Sequence, residues 1–209
     1  MSQVVKNSNL DKDTIIDDYY LAYLSRQAAL MGRKEVLAGR AKFGIFGDGK
    51  ELAQIALAKF FQKGDWRSGY YRDQSLMFAL GEYRVEQFFA QLYADTNIER
   101  EPHSGGRQMN CHFSSRYIKD AKWLIQKNLY NSSSDISPTA GQMSRLLGLA
   151  YASKLYRLVA ELRSNIKSKD FSKNGEEIAF GTIGNASTSE GIFWETMNAA
   201  CVLKVPLLM

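Results

Sequence analysis

Small and hydroxyl-bearing residues with the potential for chemistry lie at positions 184–189. Gly184 and Ala186 allow the backbone to approach a ligand closely, while Ser187, Thr188 and Ser189 offer hydroxyls that could also cap a helix. A helix that begins here would direct unpaired N–H groups and the positive end of its dipole at the segment. The pattern therefore predicts an anion site, and an ordinary capped helix is the alternative.

A strand–helix–strand unit must position this segment. An apolar run at 178–183 precedes it, a helical stretch follows, and a second apolar run comes at 205–209. Parallel strands need such a crossover, and ligands of open α/β sheets bind where these loops leave the carboxyl ends of the strands. Because a buried parallel strand is normally continued by further chain, we expect a polypeptide truncated after Met209.

The segment at 44–50 nearly matches the phosphate-cradling sequence G-x-x-x-x-G-K-[ST]. Glu51 stands at the last position, where it has no hydroxyl for Mg²⁺ and would repel phosphates. We therefore favour a capping-box start of a helix, from Asp48 to Glu51, and keep a nucleotide-binding loop as the alternative.

Arg72 and the histidines are further candidates for chemistry. Arg72 could clamp a phosphate through its planar guanidinium, or it could pair with Asp73 or solvent. His103 and His112 share one Gly-rich loop, where a structural or solvated histidine is the more common case and an active-site proton carrier is the alternative. No metal-ligand cluster surrounds them in the sequence, so a zinc site is not predicted.

Composition excludes several classes of function. The chain has 209 residues and a net charge of +5 that is spread along the sequence, so we expect no nucleic-acid partner. Cys111 and Cys201 lie far apart, which suggests a reducing compartment. No apolar run is long enough to span a bilayer and the N-terminus is too polar for a signal peptide, so we expect a cytoplasmic protein without membrane contact.

Hydrophobic periodicity predicts further elements before the central unit. Helices are predicted over 14–37, 48–61, 73–80, 85–94 and 140–163, extended structure over 69–71, loops over 44–49, 96–119 and 132–138, and a charged connection over 164–176. The residues expected to face inward are Ile16, Tyr20, Tyr23, Leu24 and Ala28 on the first helix, and Leu52, Ile55, Ala56 and Phe60 on the second.

In this order, four segments resemble the alpha subunit of thiamine-diphosphate-dependent 2-oxoacid dehydrogenases, the decarboxylating component of the pyruvate and branched-chain complexes. The segments are Tyr71-Arg72-Asp73-Gln74, Gly106-Arg107-Gln108-Met109 with His112, Ile136-Ser137-Pro138-Thr139-Ala140-Gly141-Gln142, and positions 184–200. The most specific part is Ser-Glu-Gly-x-Phe-x-Glu-x-x-Asn-x-Ala in the last segment. The Gly-Arg-Gln-Met form resembles branched-chain members more closely than pyruvate ones.

The resemblance implies an α/β fold, a doubly wound parallel sheet with flanking helices that holds the diphosphate of thiamine diphosphate. Residues 14–209 would be the N-terminal part of this domain, incomplete at its C-terminal end, after a flexible tail at 1–13. By resemblance, the site residues are Gly184, Asn185, Ala186 and Ser187 in the diphosphate and Mg²⁺ loop, Tyr71 and Arg72 at the diphosphate, Ser137 and Thr139 near the pyrimidine ring, and His112 beside the reacting substrate.

Asn185 and Ala186 are among the positions that depart from the family pattern. Asn185 stands where the family has an acidic metal ligand, so either its amide oxygen serves as the Mg²⁺ ligand or another acid compensates. Ala186 replaces the usual second Gly and restricts the backbone slightly.

The implied activity is oxidative decarboxylation of a 2-oxo acid, branched-chain or pyruvate, with acyl transfer to a lipoyl group. The implied partners are a beta subunit or a fused beta half and a lipoyl-bearing acyltransferase, in a heterotetramer or a homodimer of fused chains. Since the family's pyrimidine-activating glutamate belongs to the beta part, we expect this chain alone to be inactive. A P-loop-like nucleotide-binding protein and a non-catalytic interaction module of the same fold are the alternatives.

Overall fold

A computed structural model describes residues 11–165 and 168–209. The predicted flexible tail lies outside the described residues except at its end, where Lys12 and Asp13 already belong to the first helix. This helix, α1, spans Lys12–Leu37, and its N-cap Asp11 accepts a hydrogen bond of 2.7 Å from the Thr14 N–H. A cap of this kind satisfies one of the free amides of the first turn, which fixes where the helix begins.

The described residues form a four-stranded parallel sheet. Its strands are β1 (Trp66–Ser68), β4 (Asn131–Ser132), β5 (Ala179–Gly181) and β6 (Leu207–Leu208), in the order β4-β1-β5-β6. Strands β1 and β5 are the two central strands. The next strand of this sheet after β1 is β4, at one edge, and the next after β5 is β6, at the opposite edge. The α/β class with a parallel sheet flanked by helices is thereby confirmed.

Helices and one hairpin complete the described fold. The helices are α2 (Glu51–Ala58), α3 (Gln74–Ala79), α4 (Val85–Leu92), α5 (Gln142–Leu158), α6 (Ala160–Ser164), α7 (Ser168–Phe171) and α8 (Gly191–Leu203), with 3₁₀ turns at Gln126–Asn128 and Asn185–Ser189. Strands β2 (Ile118–Lys119) and β3 (Lys122–Trp123) pair as an antiparallel hairpin inside the predicted loop 96–119 and just beyond it. Within the described ranges, no helix is both long and apolar enough to cross a membrane.

Helix α5 packs against both central strands and α8. Its buried Met143, Leu146 and Ala150 form one core cluster with Ala179 of β5. The Leu146 side chain lies so close to Gly181 that a Cβ there would come within 2.1 Å of it, which explains a glycine at the end of the strand. This cluster anchors the central strand whose carboxyl end carries the 184–189 segment.

The inward face of α1 was predicted correctly at Ala28 and wrongly at three other positions. Ile16, Tyr20 and Tyr23 are exposed, whereas the buried residues of this helix are Ser25, Ala28, Ala29 and Gly32. Small residues let neighbouring elements approach closely, as Gly32 shows, where a Cβ would lie 2.6 Å from the Phe46 ring. Apart from Ala28, the predicted stripe therefore misplaced the inward face, because close packing here requires small side chains rather than large apolar ones.

Other element predictions need smaller corrections. The second helix begins at Glu51 rather than Asp48, since the Asp48 carboxylate accepts from Arg33 at 2.7 Å and does not cap the helix. In that helix Ile55 is buried, but the predicted inward residue Leu52 is exposed, as is Phe60 beyond its end.

Three boundaries nearer the sheet also differ. The extended residues are 66–68 instead of 69–71, and β4 at 131–132 was not predicted. The long helix predicted over 140–163 is interrupted at Val159, whose φ of −97° and ψ of 109° are extended. Strands this short offer too few residues for a period of two to be recognised.

Candidate functional site

The carboxyl ends of β1 and β5 define a crevice at the centre of the sheet. These two strands are neighbours, with Ser68 opposite Gly181, and their connections run to opposite sides. Such a reversal of strand order is the place where open α/β sheets bind ligands. Tyr71 and Arg72 follow β1 here, and the predicted anion segment follows β5. The two ends are close, because a Cβ on Gly184 would lie 3.5 Å from the Tyr70 ring.

The 184–189 segment forms a 3₁₀ turn, Asn185–Ser189, with Gly184 at its N-cap. The Thr188 hydroxyl donates to the Asn185 carbonyl at 2.7 Å, and the Ser189 hydroxyl donates to the Ala186 carbonyl at 2.7 Å. Helix α8 starts later, with Glu190 at its N-cap. The predicted helix-capping role of these hydroxyls was therefore wrong, since they stabilise the turn itself. Asn185 and Ala186 are exposed, and Ser187 is buried.

Three predicted site residues from three separate sequence segments contact one another. The rings of Tyr71 and His112 stack, with centroids 6.3 Å apart and an interplanar angle of 17°. The His112 Nε2 atom lies 3.0 Å from the Ser137 hydroxyl. The β1 end, the loop before β2 and the loop after β4 therefore meet on one side of the crevice.

His112 is buried, and burial lowers the pKa of its imidazole below the ordinary value. Its Nδ1 lies 3.4 Å from the Asn110 carbonyl. A neutral imidazole with one nitrogen facing a hydroxyl can accept or donate a proton at that nitrogen. A cavity of about 170 Å³ beside this histidine is also lined by Arg107 and Gln108.

His103 has a structural environment instead. Its ring nitrogens lie 3.3 Å from the Ser114 carbonyl and 3.2 Å from the Glu82 carbonyl. Burial lowers the pKa of this imidazole as well. Both histidines line the cavity of about 170 Å³, and of the two it is His112 that contacts Tyr71 and Ser137 at the crevice.

Arg72 has the buried, unsatisfied donor that an anion site requires. Its Nε atom is buried and has no hydrogen-bond partner among the described residues. Its guanidinium lies 5.9 Å from the centre of the Tyr71 ring. Arg72 also borders a cavity of about 410 Å³ whose other lining residues belong to α1 and to the loop at 44–48. A buried arginine donor without a partner is costly, so its presence favours an anionic ligand.

Asp73 pairs with Arg67 and not with Arg72, which corrects one predicted alternative. Arg67 is completely buried in β1, and its guanidinium lies 2.6 Å from Asp73 and 2.9 Å from Asp135. We call Arg67, Asp73 and Asp135 the Arg67 triad. Asp135 also accepts from the Phe113 N–H at 2.9 Å. Burial raises the pKa of Asp135 to about 7, and the Arg67 charge limits that rise.

The loop after β4 is tied to the same crevice. The Gln142 side-chain amide donates to the Thr182 carbonyl at 2.9 Å, and the Ser68 hydroxyl donates to the Gln142 carbonyl at 3.0 Å. Thr139 is exposed in the turn that precedes α5, and Ala140 has a left-handed φ of 58°. Thr139 therefore lies on the loop that carries Ser137, but its side chain faces solvent.

Buried amides hold the His112 loop in place, which sequence reasoning did not anticipate. The Gln91 side chain accepts from the Cys111 N–H at 2.8 Å and donates to the His112 carbonyl at 2.7 Å. Asn110 bonds both backbone groups of Ile45. Cys111 has a left-handed φ of 61°, a strained conformation for a residue with a side chain.

The geometry of the 44–51 loop argues against a nucleotide-binding loop. In such loops, backbone N–H groups cradle phosphates. Here the Gly47 N–H donates to the Gln74 side chain at 3.1 Å, and the Gly49 N–H donates to the Glu51 carboxylate at 2.9 Å. Glu51 also pairs with Arg26 at 2.6 Å. These amides are therefore occupied by the protein's own side chains.

Fold and crevice together define an α/β protein whose candidate site lies at the strand-order reversal of a parallel sheet. Residues 21–209 match the family model described as "Dehydrogenase E1 component", and the chain belongs to that family. This family depends on thiamine diphosphate.

Curated relatives agree with this assignment. The chain is 28% identical over 172 residues to "2-oxoisovalerate dehydrogenase subunit alpha" of Bacillus subtilis, which covers 82% of this chain and 42% of that protein. It is 26% identical over 199 residues to "Pyruvate dehydrogenase E1 component subunit alpha" of Acholeplasma laidlawii, covering 95% of this chain and 45% of that protein. The chain thus spans less than half of the length of these relatives.

The residues of the crevice suit the organic cofactor better than they suit the metal. The unpaired Arg72 donor and the exposed turn at Asn185 fit a diphosphate. For a metal ion, residues 11–165 and 168–209 contain no group of three or more His, Cys, Asp or Glu that could hold one. The exposed Asn185 remains a predicted ligand for Mg²⁺.

Proposed function

We propose that this chain is the alpha part of the decarboxylating component of a 2-oxoacid dehydrogenase complex, acting on a branched-chain 2-oxo acid or on pyruvate. The observation that carries the proposal is the contact among Tyr71, His112 and Ser137, with the Arg72 guanidinium beside the Tyr71 ring. Tyr71 follows β1, which pairs with β5, and the turn at Asn185 follows β5. These residues come from separate sequence segments, so their convergence at a strand-order reversal supports one common site.

Thiamine diphosphate, when bound, supplies an electron sink for the electron pair that decarboxylation of a 2-oxo acid releases. Arg72 would neutralise its diphosphate, with Tyr71 beside it. Gly184, Asn185 and Ala186 would contribute backbone N–H groups, because the first residues of a helical turn leave such groups unpaired. The Ser187 N–H already donates to the Gly184 carbonyl at 3.0 Å, so Ser187 would contribute its hydroxyl.

Asn185 would give its amide oxygen to a Mg²⁺ ion that the diphosphate also binds. Mg²⁺ prefers oxygen ligands and keeps several waters, so one amide together with phosphate oxygens is a chemically suitable set. Ser137 and Thr139 would contact the cofactor near its pyrimidine ring, Thr139 through its backbone.

His112 would hold or move a proton beside the reacting carbonyl. Burial keeps its imidazole neutral near pH 7, and the Ser137 hydroxyl orients Nε2. The acyl group would pass to a lipoyl group on an acyltransferase. A beta subunit or fused beta half would complete the site, in a heterotetramer or a homodimer of fused chains, and this chain alone would be inactive.

The test is the affinity for thiamine diphosphate of the protein assembled with its beta part, measured by calorimetry in Mg²⁺. Arg72→Met should weaken binding about 10- to 100-fold, because a charge-assisted hydrogen bond is lost. Arg100→Met is the matched control, since Arg100 pairs with Asp95 on the surface. Equal affinity of the Arg72 variant and the unmodified protein would refute the proposed role.

A non-catalytic module of the same fold is the second candidate, and Asn185 is the observation that favours it, because the family has an acidic metal ligand at this position. The discriminating measurement is 2-oxo acid decarboxylation by the assembled protein before and after Asn185→Asp. Activity that appears only in the Asp variant supports the non-catalytic module. Activity already present with Asn185 excludes it.

A further inference from the structure

One carboxylate oxygen connects the two strand ends of the candidate site. Asp73 Oδ2 accepts from Arg67 Nε at 2.9 Å and Nη2 at 2.6 Å, from the Tyr70 N–H at 3.3 Å, and from the Thr182 hydroxyl at 2.5 Å. Arg67 and Tyr70 belong to β1 and its end, whereas Thr182 follows β5. Asp73 is completely buried, so water does not compete for these bonds.

The hydrogen bond from Thr182 to Asp73 lies just beyond the point where the pairing of β1 and β5 ends. The paired register of β1 and β5 ends at Ser68 and Gly181. Beyond this point, the segment after β1 leads to Arg72 and the segment after β5 leads to Gly184. The bond between Asp73 and Thr182 therefore continues the connection between the strands one step past the sheet.

The turn after β1 has room for the Asp73 carboxylate because residue 69 is a glycine. A Cβ on Gly69 would come within 2.0 Å of Asp73 Oδ2 and 2.3 Å of Arg67 Nη2. Arg67 balances part of the buried negative charge, and its own position is fixed by Ser132 at 2.8 Å and by Asp135. The carboxylate is thus held through Oδ2, and Thr182 is its hydrogen-bond donor on the β5 side.

We propose that Asp73 and Thr182 are positioning residues. Their hydrogen bond sets the distance between the turn at Tyr71 and Arg72 and the turn at Asn185, and thereby sets the affinity for a diphosphate group. This inference rests on the proposed function, because it assigns a purpose to residues that support the cofactor-binding ones. Neither residue belongs to the predicted diphosphate contacts. Their effect on affinity acts through the geometry of the two turns.

The test replaces Thr182 rather than Asp73, because loss of Asp73 would leave Arg67 buried with less compensation and could prevent folding. Thr182→Val keeps the side-chain shape and removes only the hydroxyl. In the protein assembled with its beta part, the dissociation constant for thiamine diphosphate in Mg²⁺ should rise about tenfold. Turnover at saturating cofactor should stay within about twofold of the unmodified protein.

Two matched variants separate positioning from general stability. Ser153→Ala also removes a buried hydroxyl, which donates to the Glu177 carbonyl at 2.6 Å before β5, at the opposite end of the strand. It should lower the urea midpoint of unfolding to a similar extent and leave the dissociation constant unchanged. Thr182→Ser retains the hydroxyl and should restore the affinity.

The outcomes distinguish this inference from the proposed function. If the unmodified assembled protein does not bind thiamine diphosphate, both are overturned. If it binds and Thr182→Val binds equally well, only the positioning role is overturned. Equal weakening by Ser153→Ala, or no recovery in Thr182→Ser, also overturns it, since affinity would then follow stability alone.

Discussion

Replacing Asp135 with Asn should change how the stability of the protein depends on pH. Asp135 shares the buried Arg67 guanidinium with Asp73, so one cation faces two carboxylates. Burial raises the pKa of Asp135 from its ordinary 3.8 to about 7. A carboxyl with a raised pKa contributes stability that is fully present below its unfolded pKa and is lost as pH rises through its folded pKa. Asp135→Asn removes this pH dependence.

The size of the effect follows from the two pKa values of Asp135. The interval between 3.8 and about 7, at about 1.4 kcal/mol per pH unit, corresponds to about 4 kcal/mol. The free energy of unfolding of Asp135→Asn, minus that of the unmodified protein, should therefore increase by up to about 4 kcal/mol between about pH 4 and about pH 8. The Asn amide faces Arg67 with one donor, which adds a cost that does not vary with pH.

The assay is urea unfolding followed by tryptophan fluorescence at several pH values, since Trp66 lies in β1 beside the Arg67 triad. Asp95→Asn is the control, because hydrogen bonding to exposed Arg100 lowers the pKa of Asp95. Its stability contribution is present at high pH and lost on acidification, so its difference curve should have the opposite sign. A difference for Asp135→Asn that is constant with pH, or that shrinks as pH rises, refutes the reasoning.

Three further predictions concern packing, thiol reactivity and nucleotide binding. Gly69→Ala should lower the urea midpoint strongly or prevent folding, because its Cβ would meet the Asp73 carboxylate, whereas Gly148→Ala, with nothing within 4 Å, should stabilise α5 by up to about 1 kcal/mol. In a thiol-reagent titration, the exposed Cys201 should react at once. The buried Cys111 should react only on unfolding, because burial also raises the pKa of its thiol. Early reaction of both thiols would contradict this. Calorimetry with Mg²⁺ and ATP should show no binding at the 44–51 loop, because the Gly47 and Gly49 amides there already donate to side chains of the protein. A binding signal that Lys50→Met abolishes would contradict this.

The elements that carry the candidate site were predictable because they lie in segments of distinctive sequence. The helical period gave α1, and the apolar runs around 178 and 207 gave β5 and β6. Their order placed a small-residue turn at the end of a parallel strand. The contact between Tyr71, His112 and Ser137 could be expected from the family resemblance, although no local pattern in the sequence requires it.

The Arg67 triad could not be predicted, for a physical reason. Strand β1 has three residues, and a charged one stands at its centre, so neither alternation nor apolar content marks it as buried. Arg67 bonds Asp135, which is 68 positions away in sequence. Only the fold shows that a cation and two carboxylates share one interior location. The buried amides of Gln91 and Asn110 escaped prediction in the same way, since each bonds backbone from a distant segment.

The sharing of one guanidinium between two acids has an evolutionary consequence. A lineage that exchanged Arg67 for an apolar residue would bury two repelling carboxylates, and one that first exchanged Asp73 would leave the cation partly unbalanced. We therefore expect exchange of Arg67 alone or of Asp73 alone to be selected against, and a concerted replacement of all three residues by apolar ones to be tolerated. Across homologous sequences, these three positions should covary as a set, and glycine at 69 should be retained wherever the acid at 73 is retained.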